Sequence, residues 1–359
     1  MASHVCRDEI YYVSLKKKNM MNTDLIIIGG GAAGLMAAAY ANELGIKCLI
    51  VEARHMPGRK LLICGNNKCN LTSSMSTDDF IQCYDSDIVD FLEPALQKFG
   101  PRDLIKWFSI HGLQTFAEKD GRVYPKSRNA DDVLHVFTDI IRSNGVPSIY
   151  NCRINAMRKK NKLYEVSNDS ITLYAPNVLL ATGGVSYPKT GSVGDGQKMV
   201  KTFGHKLVPY QPGLVGFEFD KQVKHIPMAD VEIICDGKVM AKTSGDIYPE
   251  RWGARGKALT NASSIVAHKN LKNYHFNVIP VGNQGTFKLY PKKTRPLKEA
   301  MVTVGGVDLG DINNQTMESR KSRGLYFAGE VMDVDGPTGG FNLTAAFATA
   351  RLAVESIKN

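Results

Sequence analysis

The sequence predicts an α/β fold, a parallel sheet with helices on both faces, into which a β-rich domain is inserted. Three observations predict it. A glycine-rich turn joins a short apolar strand to an alanine-rich helix between Thr23 and Arg54. Two further apolar strands that end in small residues follow at 177–184 and 324–330. Between them, from residue 207 to about 290, short strands separated by turn residues replace the alternation of strand and helix.

The first unit is a strand, a glycine turn and a helix. Leu25 to Ile28 is apolar and partly β-branched, as in a strand covered on both faces. Gly29, Gly31 and Gly34 then follow in the spacing G-x-G-x-x-G. The first glycine permits a sharp turn, the second lets a pyrophosphate approach the backbone, and the third lets the helix pack closely on the strand. The spacing therefore predicts a Rossmann-like dinucleotide site, with the positive end of the helix dipole facing the phosphates.

The second strand, Lys47 to Val51, ends at Glu52, about 20 residues after the glycines. A carboxylate at that position accepts hydrogen bonds from both hydroxyls of an adenine ribose and disfavours a 2′-phosphate. A polar loop follows over residues 55–74, and its glycines and asparagines predict an irregular backbone. We expect this loop to be functional, because Arg59, Lys60 and Lys68 could reach a pyrophosphate from it.

Helical periodicity of apolar residues predicts helices at residues 87–99, 103–110 and about 129–144. An Asp-Gly pair at residues 120–121 predicts a hairpin turn between the second and third of them. The apolar stripes of these helices are typical of ordinary core.

The last 36 residues predict the second half of the site. A helix begins just after Gly339 and Gly340, with Asn342 near its N-cap. A reduced flavin carries negative charge around N1 and the C2 carbonyl, and a helix N-terminus aimed there would stabilise that charge. Glu330, just past the preceding strand, could hold ribityl hydroxyls.

Bulk composition limits the class of protein. The chain has 359 residues, 43% of them hydrophobic, so it can bury a large core. No apolar run reaches the ~18 residues of a membrane span, and residues 1–22 form a polar extension without the apolar core of a signal peptide. Seven scattered cysteines favour a reducing compartment, by default the cytoplasm. No histidine or cysteine spacing indicates a metal site. The net charge of +10 comes mostly from dispersed lysines, so nucleic acid is not expected as a partner.

Several motifs together resemble FAD-dependent oxidoreductases of the two-dinucleotide-binding-domain type. These are the first glycine turn with Glu52, the internal LLATGG with TGSVGDG, and the C-terminal GLYFAGEVMDVDGPTGGFNL. Five longer motifs resemble the bacterial YhiN-like flavoproteins, whose members are described as aminoacetone oxidases or as reductases of 3-oxo bile-acid intermediates. They are GRKLLICGNNKCNLT, GRVYPKS, GGVSYPKTGSVGDG, TRPLKEAMVTVGGV and GEVMDVDGPTGGFN.

This resemblance implies a non-covalent FAD and a two-domain organisation. Residues 23–206 and 294–359 would form the FAD-binding domain, with a β-rich substrate domain at 207–293. The cofactor-binding residues that the motifs imply are Gly29, Gly31, Ala32, Ala33, Gly34, Glu52, Ala53, Arg54, Arg59, Lys60, Leu61, Gly65, Asn70, Thr72, Ile154, Thr182, Gly183, Gly329, Glu330, Asp333, Gly339, Gly340, Phe341, Asn342 and Leu343.

The chain departs from the usual motifs of these flavoproteins in two places. A loop glycine and an arginine of the G-N-G-R-C-N motif are here Asn67 and Lys68. A helical insert of considerable length usually precedes TRPL, and here only about 28 residues separate Ser264 from Lys293. If that insert shields the substrate in relatives, this site is more open.

The predicted function is hydride transfer between the flavin N5 and a small organic substrate. The direction stays open: the enzyme would be an amine or aminoketone oxidase, or a reductase of an enone or ketone. One nucleotide-binding unit is evident, so NADH or NADPH would visit the flavin face transiently. Tyr187, Thr190 and Asp333 are polar residues next to cofactor motifs and are the candidates for contact with substrate.

Two other functions stay open on the sequence. Cys64 and Cys69 form a C-x-x-x-x-C pair some 30 residues beyond the glycine turn, similar in place to the redox dithiol of glutathione-reductase-like flavoenzymes. A flavin-linked thiol–disulfide oxidoreductase is therefore the first alternative. An RNA-modifying or RNA-binding flavoprotein is the second, because such enzymes share this kind of FAD domain and the chain is basic.

Overall fold

A computed structural model describes residues 23–282 and 285–358, so the predicted extension at 1–22 lies outside the described residues. The strands are, in chain order, β1 (Leu25–Ile28), β2 (Cys48–Val51), β3 (Thr72–Ser73), β4 (Thr115–Ala117), β5 (Arg122–Pro125), β6 (Ser148–Ile149), β7 (Ala156–Lys160), β8 (Leu163–Ser167), β9 (Thr172–Ala175), β10 (Asn177–Leu180), β11 (Gln211–Gly213), β12 (Phe217–Glu218), β13 (Ile226–Cys235), β14 (Lys238–Glu250), β15 (Gly253–Arg255), β16 (Tyr274–Pro280), β17 (Phe287–Leu289), β18 (Lys293–Thr294), β19 (Val302–Val304) and β20 (Leu325–Phe327).

The helices confirm the predicted helical segments and add others. They are α1 (Ala32–Glu43), α2 (Arg59–Leu62), α3 (Thr77–Ile81), α4 (Ser86–Lys98), α5 (Pro101–Ile110), α6 (Ala130–Ser143), α7 (Asp195–Val200), α8 (Lys257–His268) and α9 (Phe341–Lys358). The predicted hairpin is also present, since β4 and β5 pair in antiparallel fashion around the turn at 120–121.

A five-stranded parallel sheet in the order β20-β10-β1-β2-β6 forms the centre of the molecule. Every residue of β1, β2 and β20 is buried, as expected for strands covered on both faces. This sheet, with helices packed against it, confirms the predicted α/β class.

Helices α1 and α9 pack against each other beside this sheet. Small residues allow the close approach: a Cβ atom built on Gly329 would lie 3.3 Å from the Cβ atoms of both Ala33 and Ala346. The two halves of the predicted site, which are about 300 residues apart in sequence, therefore meet in space.

The insertion forms a second sheet. Its seven strands lie in the order β17-β16-β13-β14-β15-β12-β18, and a separate apolar cluster that includes Phe217, Val231 and Phe276 packs beneath it. The short apolar runs predicted strands here, but α8 was not predicted, because its buried positions include Ser263 and Ser264 and therefore give a weak apolar pattern. The domain limits at residues 207 and 293 stay predictions.

Within residues 23–282 and 285–358, no helix has the length and apolar character needed to span a membrane. Over the same ranges, no three or more histidine, cysteine, aspartate or glutamate side chains gather in a way that could hold a metal ion.

Candidate active site

A cavity of about 960 Å³ opens at the carboxyl ends of the parallel strands. Gly29 after β1, Glu52 after β2, Thr182 after β10 and Gly329 after β20 all line it. Ligands of open α/β sheets bind in this position, where the loops that leave the strands face a common crevice.

Most of the predicted residues meet in this cavity. Among the predicted residues that do not line it are Gly34, Arg54, Thr72, Asp333 and Phe341. The predicted residues that line it are Gly29, Gly31, Ala32, Ala33, Glu52, Ala53, Arg59, Lys60, Leu61, Gly65, Asn70, Ile154, Thr182, Gly183, Tyr187, Thr190, Gly329, Glu330, Gly339, Gly340, Asn342 and Leu343.

The glycine turn has the shape that a dinucleotide requires. A Cβ on Gly29 would lie 2.4 Å from the carbonyl oxygen of Ala181, and one on Gly34 would lie 1.8 Å from that of Gly29. A Cβ on Gly31 would meet nothing within 4 Å. Two of the glycines therefore serve close packing, while the space above Gly31 is open to the cavity and fits a pyrophosphate at the N-terminus of α1.

Glu52 is fixed at the end of β2 by two backbone amides. Its Oε2 accepts a hydrogen bond from the N–H of Gly30 and its Oε1 accepts one from the N–H of Arg54, both at 2.7 Å. Burial raises the pKa of this carboxyl, although the two amides oppose the change. Each oxygen retains a lone pair for a further donor, which fits a ribose hydroxyl.

Several buried polar atoms of this cavity have no hydrogen-bond partner within the part of the chain that the structure describes. They include Thr182 Oγ1 and Arg59 Nε, and both residues line the cavity. Both atoms are closed off from solvent and do not face the open cavity; the residues that fit a dinucleotide are Gly31, with open space beside it, and Glu52, whose oxygens keep free lone pairs. The residues present therefore fit the FAD that the motifs imply.

Two arginines hold the turn that carries Tyr187 and Thr190. Arg54 Nη2 donates to the carbonyl oxygen of Lys189 at 3.0 Å, and Arg59 Nη2 donates to the same oxygen at 3.4 Å. Tyr187 has a φ of 49°, and Thr190 Oγ1 donates to its carbonyl oxygen at 2.8 Å. Burial raises the pKa of the Tyr187 hydroxyl. Tyr187 is thus a protonated phenol on a fixed turn in the cavity wall.

Lys60 and Glu330, both predicted to contact the cofactor, line the cavity and form an ion pair with each other. Lys60 Nζ lies 2.5 Å from Glu330 Oε2 and 2.7 Å from Ser186 Oγ. Glu330 Oε1 accepts hydrogen bonds from Ser186 Oγ at 3.0 Å and from the N–H of Thr303 at 2.7 Å. The group joins α2, the loop after β10 and the segment after β20 at the cavity floor.

The first turn of α9 forms the opposite side of the cavity. Asn342 binds back to Gly336, accepting from its N–H at 2.9 Å and donating to its carbonyl oxygen at 2.8 Å. Phe341 does not face the cavity; its ring stacks on Phe80 with centroids 4.2 Å apart. A Cβ on Gly340 would lie 2.4 Å from the Cα of Thr72, so β3 and this turn are in direct backbone contact.

Asp333, predicted as a substrate contact, holds backbone instead. Its Oδ1 accepts a hydrogen bond from the N–H of Gly305 at 2.7 Å, and it does not line the cavity. Asp335 lies nearby and is paired with His268 of α8, with His268 Nε2 2.6 Å from Asp335 Oδ1. Asn261 of α8 also accepts from the N–H of Thr338 at 3.0 Å. These contacts fasten α8 to the segment that precedes α9.

The His268–Asp335 pair predicts a pH dependence of stability. Burial alone would lower the pKa of His268, but the hydrogen bond and charge of Asp335 outweigh it and raise the pKa to about 9. The stabilisation should be complete below about pH 6.5 and be lost as the pH rises through about 9. Against His268→Gln, wild type should lose about 3 kcal/mol more free energy of unfolding between pH 6.5 and 9.5. Urea denaturation measures this, and identical pH profiles for the two proteins would contradict it.

The inserted sheet and α8 supply a wall that sequence reasoning missed. Met228, Ser244, Asp246, Tyr248 and Lys257 line the cavity from this side. Asp246 Oδ1 accepts the N–H of Lys257 at 2.6 Å and so fixes the start of α8. No motif marked these residues, because their position depends on how the inserted domain packs over the sheet.

The fold and this site define an FAD-dependent oxidoreductase. The chain belongs to the family described as HI0933-like protein Rossmann domain, which matches residues 23–356. The family resemblance predicted from the motifs is thereby confirmed.

Two full-length relatives carry names that describe an activity. A 3-dehydro-bile acid delta(4,6)-reductase of Clostridium scindens is 27% identical, covering 91% of this chain and 97% of the relative. A ribosomal RNA dihydrouridine synthase of Escherichia coli is 26% identical, covering 92% of this chain and 97% of the relative. Among solved structures, 3-ketosteroid-delta4-(5alpha)-dehydrogenase of Rhodococcus jostii RHA1 matches with a TM-score of 0.55 at 13% identity, covering 94% of this chain and 96% of that chain, and shows the shared fold.

Proposed function

We propose that this enzyme reduces a carbon–carbon double bond that is conjugated with a carbonyl group. The observation that carries the proposal is the chemistry shared by the names of the two relatives described above. A 3-dehydro-delta(4,6) bile acid has its double bonds conjugated with a 3-keto group. Dihydrouridine is uridine with two hydrogens added across C5–C6, a bond conjugated with the C4 carbonyl. One half-reaction, hydride addition to the carbon of the conjugated double bond farther from the carbonyl and protonation of the other carbon of that bond, accounts for both.

The cofactor would be held by residues from both ends of the chain. The N–H groups above Gly31 would bind the pyrophosphate, Glu52 the adenine ribose, and the first turn of α9 the pyrimidine side of the flavin ring. FAD, when bound, supplies the hydride from N5. NADH or NADPH would bind transiently and reduce the flavin again, since a single dinucleotide-binding turn is evident in the sequence.

Tyr187 is our candidate for the proton donor. Tyr187 lines the cavity, and burial raises the pKa of its hydroxyl, so the phenol keeps its proton at neutral pH. Arg54 and Arg59 fix the turn after Tyr187 by donating hydrogen bonds to the carbonyl oxygen of Lys189, and neither of these bonds involves the Tyr187 hydroxyl.

Tyr187→Phe should lower the rate of substrate reduction about 100-fold with little change in KM, because the variant loses only the proton. Tyr248→Phe, a second tyrosine of the same cavity, is the matched control and should retain activity. The measurement is single-turnover reoxidation of the reduced flavin over a range of substrate concentrations, which gives the limiting rate and the half-saturating concentration. An equal decrease in the reoxidation rate of both variants would show that Tyr187 is not the proton donor.

A uracil base within RNA is the second candidate substrate. The Escherichia coli relative is named for that activity, and the net charge of +10 would favour a polyanion. Arg122, Arg255 and Lys257 are exposed and line the cavity, where they could contact phosphates. The dispersion of the other basic residues favours a small molecule, so the two substrates need a direct comparison.

The deciding experiment is anaerobic. FAD-loaded enzyme is reduced with NADPH, NADH or dithionite. In separate stopped-flow experiments it is then mixed with a 4-ene-3-keto steroid or with unmodified ribosomal RNA. Absorbance near 450 nm reports flavin reoxidation, and mass spectrometry reports the gain of two hydrogens. Reoxidation by either substrate supports the proposal and selects the substrate. If neither substrate reoxidises the flavin but an aminoketone reduces the oxidised enzyme, the protein is an oxidase and the proposal is overturned.

A further inference from the structure

Cys64 and Cys69 lie at the two ends of a tight turn that follows α2. The N–H of Cys69 donates to the carbonyl oxygen of Cys64 at 3.0 Å, and the N–H of Lys68 donates to that of Gly65 at 3.2 Å. Cys69 itself has a φ of 56°, which closes the turn tightly. This backbone hydrogen bond closes the turn between the two residues, and a disulfide requires such proximity, with Cα atoms no more than about 7 Å apart.

The two thiols are in contact but differ in exposure. They are close enough for each thiol to shift the pKa of the other, which is lowered at Cys64 and raised at Cys69. Cys69 is fully buried, whereas Cys64 is half-buried and lines the FAD cavity. A small reagent in the cavity can therefore reach Cys64, whereas Cys69 is buried and out of its reach.

The surroundings of Cys64 favour its thiolate. The interaction with the Cys69 thiol lowers the pKa of Cys64 most, and the N–H of Asn70 and the charge of Lys60 lower it further against the effect of burial. The pKa of Cys69 is raised by the same interaction and by burial, so it stays protonated. The thiolate is the form of cysteine that reacts with peroxides.

We propose that Cys64 and Cys69 are a peroxide-reactive thiol pair built into the wall of the FAD cavity. The Cys64 thiolate attacks one oxygen of hydrogen peroxide; the O–O bond breaks, and the leaving hydroxide takes a proton to become water. Cys64 is then a sulfenic acid. The Cys69 sulfur attacks the Cys64 sulfur, the S–S bond forms, and the S–O bond breaks with release of a second water. Two thiols lose two electrons, and one peroxide becomes two waters.

Oxidation of this pair would change the charge near Tyr187 and the rigidity of the turn that contacts the start of α9. The charge of Cys64 contributes to the raised pKa of Tyr187, so the two side chains share one part of the wall. Asn70, next to Cys69, accepts the N–H of Gly340 at 3.1 Å when its amide is oriented to donate to Thr72 and Val123. A disulfide would thus remove a negative charge near Tyr187 and fix the turn that touches the start of α9. The proposal does not depend on the identity of the substrate.

The test treats the FAD-loaded full-length protein with stoichiometric hydrogen peroxide. A Cys6→Ser background is used, because Cys6 lies outside the described residues. We expect the free-thiol count of the denatured protein to fall by two per chain and to recover with dithiothreitol. Trypsin cleaves after Lys60 and Lys68, so Cys64 lies on peptide 61–68 and Cys69 on peptide 69–98, which also carries Cys83; fragmentation of the linked peptides must therefore assign the bond to Cys69. The bond should therefore appear as a cross-linked pair of tryptic peptides.

Cys83 is the internal control. It is exposed, but burial of its sulfur and the charge of Asp79 raise its pKa. Cys64 should be oxidised at least tenfold faster than Cys83, and Cys69→Ser should leave a sulfenic acid at Cys64 that dimedone traps. Oxidation of Cys83 at the same rate as Cys64, or thiol loss in wild type without the cross-linked peptides, would overturn the proposal. These readouts need no turnover, so they stand apart from the test of the reductase reaction.

Discussion

Replacing Gly31 by aspartate is expected to weaken FAD binding at least about 100-fold while leaving the fold intact. The position tolerates a side chain, since a Cβ there meets nothing within 4 Å and the backbone is extended, with φ −77°. Aspartate is moreover a preferred N-cap residue and would stabilise the free helix α1. Its carboxylate would, however, stand where we place the pyrophosphate, and like charges brought together at a binding surface cost several kcal/mol.

Two measurements separate binding from folding in this variant. Fluorescence titration of the FAD-free protein gives the dissociation constant, and thermal unfolding without FAD gives the stability. Gly31→Asp should melt at or above the temperature of wild type. Gly34→Ala is the matched control, because its Cβ would lie 1.8 Å from the carbonyl oxygen of Gly29, and it should be destabilised instead. Unchanged FAD affinity in Gly31→Asp would mean that the pyrophosphate binds elsewhere.

Replacing Lys60 by methionine should destabilise the FAD-free protein by about 2 kcal/mol. The Lys60 and Glu330 side chains are 28% and 17% exposed, so loss of the cation leaves a carboxylate in a poorly solvated site. The remaining donors to Glu330, from Ser186 and Thr303, only partly compensate. Chemical denaturation of the FAD-free variant and wild type measures the difference.

The control for this prediction is an exposed ion pair of the same type. Lys98 and Glu355 lie 2.9 Å apart with side chains 55% and 39% exposed, so Lys98→Met should cost no more than about 0.5 kcal/mol. Adding Glu330→Gln to Lys60→Met should restore part of the lost stability, because the uncompensated charge is then gone. Equal effects of Lys60→Met and Lys98→Met would show that the pair at the cavity floor is as well solvated as the surface pair.

The sequence predicted those parts of the site that depend on local spacing. Gly29, Gly31 and Gly34 could be assigned because the turn needs small residues at fixed offsets, and Glu52 because it ends the next strand. The start of α9 after Gly339 and Gly340 followed from helical periodicity. In each case the chemistry is set by neighbours within about 20 residues, which a sequence displays directly.

The sequence could not predict contacts between residues far apart in the chain. Lys60 is predicted to reach a pyrophosphate, and its ion pair with Glu330, 270 positions away, could not be predicted from the sequence. Asp333 was expected to face the substrate, but it accepts the N–H of Gly305. Helix α8 was missed because its buried face includes serines, which pack there through hydrogen bonds to the backbone of residues 214 and 215.

Local sequence thus determined the class of fold, the cofactor and the family of this protein. Only the tertiary structure decided what surrounds the flavin site: the wall from the inserted sheet, the ion pair at its floor, and the contact between Cys64 and Cys69. The physical reason is that backbone periodicity and turn geometry are encoded in short segments. Burial, which selects ion pairs and shifts pKa values, arises only when distant segments pack together.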